Sequence, residues 1–97
     1  MIKHIVSWKI NDGENKADVA NEIKTRLEAL QGKIEEIKFI EVGIDYSQTD
    51  MSADLILYSE FETKKDLDKY QIHPLHQEVG KFIKSKTNSR TLVDYEV

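Results

Sequence analysis

A ferredoxin-like α+β fold, βαββαβ, is what this sequence predicts: an antiparallel four-stranded sheet with its helices on one face. Three observations carry the prediction. Four segments alternate apolar and polar residues at the period of a strand. Two longer segments repeat at the period of a helix. Their order, two crossovers flanking a hairpin, places both helices on the same sheet face because such crossovers are right-handed. The first strand then lies between the third and the fourth. A length of 97 residues allows one domain, 1–97, and no second core.

Ile2 to Ile10 is the first strand. Ile2, His4, Val6, Trp8 and Ile10 share one face, Lys3, Ile5, Ser7 and Lys9 the other, and Asn11-Asp12-Gly13 supplies turn chemistry. Lys16 to Leu30 is a helix whose apolar stripe is Val19, Ala20, Ile23, Leu27 and Leu30, stopped by Gln31-Gly32. Ile34 to Tyr46 reads as the second strand, with Ile40, Val42 and Ile44 on one face and Ile37, Phe39 and Glu41 on the other. Ala53 to Phe61 alternates most regularly, with Leu55, Leu57, Ser59 and Phe61 on one face and Asp54, Ile56, Tyr58 and Glu60 on the other, and forms the third. Thr63 to Lys86 is helical but broken at Ile72-His73-Pro74, since proline disfavours helix before it and suits the first position of a new helix. Thr63 caps the first piece, and His73 reads as the cap of the second. Leu75, His76, Val79, Phe82 and Ile83 make the buried stripe of that second piece. Asn88-Ser89 forms a turn, and Arg90 to Val97 is the last strand.

Composition excludes several classes. Net charge is −4, and no basic stretch is dense enough to track phosphates, so nucleic acid is not expected as a partner. Lys81 to Lys86 is a solvated, cation-rich helix end. The chain has no cysteine, which removes disulfides, thiolate chemistry and zinc–cysteine sites and suits a reducing cytoplasm, the expected location. No apolar run approaches the ~20 residues of a membrane span, so no membrane association is expected.

Helices can cover only one face of the sheet. The opposite face nevertheless carries Ile5, Phe39, Ile56, Tyr58, Val93 and Tyr95 among its charges. Burying side chains of this size is worth roughly 1.5–3 kcal/mol each. The resolution is a homodimer in which two such faces pack together.

The candidate chemistry lies on the other face. His4 is mid-strand beside Val6 and Trp8, Asp94 is on the neighbouring last strand, and His76 opens the second helical piece. These converge at one end of the core, with Tyr70 just before the break. An imidazole titrates near neutral pH and serves as a general base or acid. A carboxylate on its second nitrogen fixes the tautomer, and a tyrosine hydroxyl polarises a carbonyl. The set suits proton abstraction next to a carbonyl. Trp8, Leu55, Leu57, His73 and Phe82 are the expected ligand-lining residues. His73 and His76 also have the spacing of two metal ligands, with Asp94 as a third. Without cysteine or a Glu-x-x-His pair to support it, no metal and no cofactor is expected.

Ile2-Lys-His-Ile-Val at the start, Tyr70-Gln-Ile-His-Pro-Leu-His76, and Arg90 with Val93-Asp-Tyr95 at the end resemble the stress-responsive dimeric α/β-barrel family (Dabb) over nearly the whole chain. The resemblance implies a ferredoxin-like protomer whose sheet closes into a barrel with that of a second copy. In the family's polyketide-cyclase branch it implies a cofactor-free aldol condensation. There a histidine at the position of His76 acts as base, a tyrosine at Tyr70 holds the substrate carbonyl, and residues at His4 and Asp94 support them. Trp8 and Leu55 depart from that branch, where a histidine stands at the position of Leu55. A small carbonyl compound is thus the expected ligand. The alternatives are a non-enzymatic stress or interaction protein with structural histidines, and, by fold analogy, a cofactor-free monooxygenase or lactone isomerase.

Overall fold

The computed structural model of the chain covers residues 1–97. Its elements in order are β1 (Ile2–Ile10), α1 (Lys16–Glu28), β2 (Ile37–Ile44), β3 (Leu55–Phe61), α2 (Lys64–Ile72), α3 (Pro74–Lys86) and β4 (Thr87–Glu96). The strands form one antiparallel sheet in the order β2-β3-β1-β4, the ferredoxin-like topology with β1 between β3 and β4. Met1 and Val97 exchange main-chain hydrogen bonds at the end of the β1–β4 ladder.

Alternation decides the inner face. Ile2, His4, Val6, Trp8 and Ile10 are all buried, and so are Leu55, Leu57, Ser59 and Phe61 of β3. Val19, Ala20, Ile23 and Leu27 of α1 pack onto them. Local chemistry sets the helix ends. The Asn15 side chain accepts from the Asp18 N–H at 3.1 Å at the start of α1. Gly32 follows the α1 terminus at φ +88°, a conformation that glycine adopts without strain. Thr63 accepts from the Asp66 N–H at the start of α2. At the break between α2 and α3, His73 Nδ1 accepts from the Leu75 N–H at 3.1 Å, with Pro74 in the first turn of α3.

Two bulges alter what alternation alone implies. The register between β2 and β3 shifts between Ile37 and Phe39, so Ile37 turns inward with Ile40 and does not share the face of Phe39. The second bulge lies in β4. Ser7 pairs with Thr91 and Lys9 with Asn88, leaving Ser89 and Arg90 together opposite Trp8. Ser89 takes φ 52° there. No turn forms at Asn88-Ser89, because α3 runs directly into the strand at Thr87.

The second strand begins at Ile37, three residues after the expected Ile34, and Ile34 is a buried anchor of the preceding turn. Ile44, at the end of β2, is exposed and does not join Ile40 and Val42 in the core. The apolar stripe of α3 is also less buried than its spacing suggests. Ile83 is buried, Val79 and Phe82 are packed at the margin, and Leu75 is exposed. On β4, an edge strand, Leu92 opposite Val6 is also exposed. On the outer face, Phe39, Ile56, Val93 and Tyr95 are exposed, and Ile5 and Tyr58 half-buried. Lys3, Glu60 and Tyr58 form a polar network among them.

Candidate active site

The inner side of β1 and β4 meets α3 across a cleft of about 420 Å³. His4, Val6 and Trp8 line it from β1, Leu57 from β3, and His76 and Ile83 from α3. Its volume lies in the range of small-molecule sites, and its floor is mostly apolar with a few polar groups.

Strand pairing delivers the first polar group. His4 and Asp94 are register partners, and His4 Nδ1 lies 2.6 Å from Asp94 Oδ1. A carboxylate only accepts, so Nδ1 carries the proton and the other ring nitrogen is left for the cleft. His4 is buried while Asp94 reaches the surface, so the pair runs from the core to the rim.

The helix break delivers the second. His76 sits in the first turn of α3, and its Nδ1 lies 3.1 Å from the carbonyl oxygen of Gln71 on α2. The carbonyl can only accept, so Nδ1 is protonated and Nε2 holds the lone pair. Burial pushes the imidazole below its ordinary range. The Gln71 carbonyl opposes this, while the positive charge of Arg90 adds to it. His76 is therefore a neutral base near pH 7.

Tyr70 lies beneath this group. It is fully buried, its ring centroid 4.3 Å from that of His76 and 6.1 Å from that of His4. Its hydroxyl finds no hydrogen-bond partner in the protein. Burial alone pushes the hydroxyl far above its ordinary range, so it remains a donor.

The fold thus brings together His4, Asp94, Tyr70 and His76, with Trp8 and Leu57 at the cleft wall. Trp8 and Leu57 line the space and do not fill it. The other expected lining residues lie elsewhere. His73 is occupied in capping α3. Phe82 turns toward α1, where the Arg26 guanidinium stacks on it at 4.0 Å. Leu55 is core on β3, paired with Trp8 and away from the cleft. Tyr70 is packed behind His76 and does not close the pocket as expected.

Lys84, expected as part of a solvated helix end, lines the cleft, and three further contributors were missed from the sequence. The Gln71 carbonyl is main chain and leaves no residue-type signal. Gly80 of α3 borders the cleft, and a Cβ built there meets nothing within 4 Å. A glycine inside an amphipathic helix was the available clue. Arg90 reaches the cleft through the β4 bulge, which alternation cannot reveal.

The chain matches the stress-responsive A/B barrel domain over residues 2–97, and it belongs to that family. An uncharacterised protein of Streptomyces coelicolor is 30% identical to it, over 99% of each chain. A dimeric protein of unknown function and ferredoxin-like fold from Bacteroides fragilis is 38% identical. It superposes with a TM-score of 0.90, covering 99% of this chain and 95% of its own. A hydroxynitrile lyase from Passiflora edulis shares the fold with a TM-score of 0.84 at 17% identity, covering 97% of this chain and 90% of its own. No helix of the chain is long and apolar enough to cross a membrane.

Proposed function

We propose that this protein is a homodimer that binds a small carbonyl compound in the cleft beside His76 and removes a proton from the carbon next to the carbonyl. The observation that carries the reading is the state of His76. Its Nδ1–H is committed to the Gln71 carbonyl, its Nε2 is free, and burial keeps the ring neutral. That is the condition of a general base at neutral pH.

In the proposed step, Nε2 of His76 takes the proton. The electron pair of the broken C–H bond forms a C=C bond, and the carbonyl π pair moves onto oxygen to give an enolate. The Tyr70 hydroxyl stays protonated and has no protein partner but is packed behind His76, outside the cleft lining, so it becomes a donor to that oxygen only on a shift of the His76 ring. The His4–Asp94 pair holds a second imidazole in one tautomer at the cleft wall. Reprotonation of the enolate, or its attack on a second carbonyl, completes an exchange or an aldol reaction without a cofactor.

The proposed dimer rests on the exposed apolar outer face and on the dimeric relative from B. fragilis. The direct test of the chemistry is deuterium incorporation into 2-octanone in D2O, followed by NMR. The protein should accelerate exchange next to the carbonyl, and His76→Gln should remove about 100-fold or more of the acceleration. Exchange no faster than with the His76→Gln protein would leave a binding module without turnover.

A further inference from the structure

The charges around the cleft identify its ligand more narrowly, given the reading of the cleft as a small-ligand site. Two fully charged side chains line it, Lys84 at the end of α3 and Arg90 of β4, and both are cationic. No carboxylate lines it. Neither cation forms an ion pair within the chain. This runs against a net charge of −4. Asp94, the acid further along the inner side of β4, is already held by His4. The placement of Arg90 is also built. The bulge at Ser89 and Arg90 sets two residues opposite Trp8, and bulges re-aim side chains next to sites. Arg90 stands close enough to His76 for its charge to disfavour protonation of that ring.

The geometry points to a ligand that carries a carboxylate, held at the mouth by Arg90 and Lys84, with an apolar body against Trp8, Leu57 and Ile83 and its carbonyl at His76. Arginine presents a planar fork of donors that matches a carboxylate in two parallel hydrogen bonds. Lys84 adds a point charge from the facing element. The ligand class is an oxo-acid with a hydrocarbon tail. The carboxylate would compensate the two cations that the fold leaves unpaired, and it would orient the chain so that one end is always at the rim.

The test compares 2-oxooctanoate with 2-octanone, which share a ketone and a hydrocarbon tail and differ in the carboxylate. Trp8 is the single tryptophan of the chain and lines the cleft, so its fluorescence reports binding directly. The acid should bind about 10-fold more tightly than the ketone. Arg90→Gln should bring that ratio close to one, Arg90→Lys should keep part of it, and added salt should reduce it. Equal affinities in the unaltered protein, or a ratio that survives the Arg90→Gln, Lys84→Gln double variant, would overturn the assignment. Tighter binding of octyl phosphate than of 2-oxooctanoate would overturn it in favour of a phosphate ligand. Proton exchange into 2-octanone with equal affinities would sink the carboxylate and leave the base chemistry standing. An Arg90-dependent preference for the acid without any exchange would do the reverse, and no binding of either compound would sink both.

Discussion

At the scale of single residues, one buried and one half-buried group are held in states that suit reaction better than stability. His76 is depressed below its ordinary pKa mainly by burial. In the folded protein its base form therefore persists to lower pH than that of a free imidazole, whose pKa is about 6.5. The acidic limb of the exchange rate should have its midpoint below that value in a pH–rate profile. Stability carries the same sign. The unfolded chain binds this proton more readily, so the contribution of His76 is full above about pH 6.5 and is lost as pH falls through the folded value. Thermal melts from about pH 7 to about pH 5 should show a shallower decline in His76→Gln than in the unaltered protein.

Tyr70 is the second such residue. Its buried hydroxyl lacks a protein partner, a situation that costs of order 1–3 kcal/mol. Tyr70→Phe should raise the unfolding free energy by about 1 kcal/mol in denaturant titration. It should also slow exchange by at least about 10-fold, if the hydroxyl serves the enolate oxygen. A stabilised protein with undiminished exchange would assign Tyr70 to packing alone.

Among the elements, α3 is the one compromised for the site. Gly80 lies inside it with open space where a side chain would be. Replacing a helix-interior glycine by alanine is worth about 1 kcal/mol. Gly80→Ala should stabilise the protein by about that amount, while Gly80→Leu should fill the cleft and weaken ligand binding, both measurable by melting and Trp8 fluorescence. The same helix shows what can be read in a sequence. Pro74 announces the break, and the break explains why His76 can reach the Gln71 carbonyl across it. Alternation in β1 and β3 assigns every inner residue correctly, since both strands are central and keep a regular pleat. Where a strand bulges, alternation loses its phase. Ile37 and Arg90 were both misjudged or missed for that reason, one at the start of β2 and one in β4. Phe82 and Leu75 carry the right spacing for burial, but spacing does not say what a side chain will meet: Phe82 meets the Arg26 guanidinium of α1, and Leu75 is exposed.

For the whole molecule, the outer sheet face is the unfinished surface. Val93 is 57% exposed on β4, opposite the half-buried Ile5. In the proposed dimer Val93→Glu would place a charge in each copy between two apolar faces, a penalty of several kcal/mol across the interface. Size-exclusion chromatography with light scattering should find the unaltered protein as a dimer at micromolar concentration and Val93→Glu as a monomer. A dimer unaffected by this change would place the contact elsewhere.

The hydrogen bonds between Met1 and Val97 hold the two chain ends side by side. Topologically, residues 1–97 therefore trace almost a ring. A short linker could join the ends and a new opening could be made in the exposed β2–β3 connection, giving a circular permutant whose strand order in space is unchanged. Such a rearranged chain would carry the His4–Asp94 pair across a local loop instead of across nearly the full length of the sequence. Pairing of β1 with β4 would then close early in folding and no longer late.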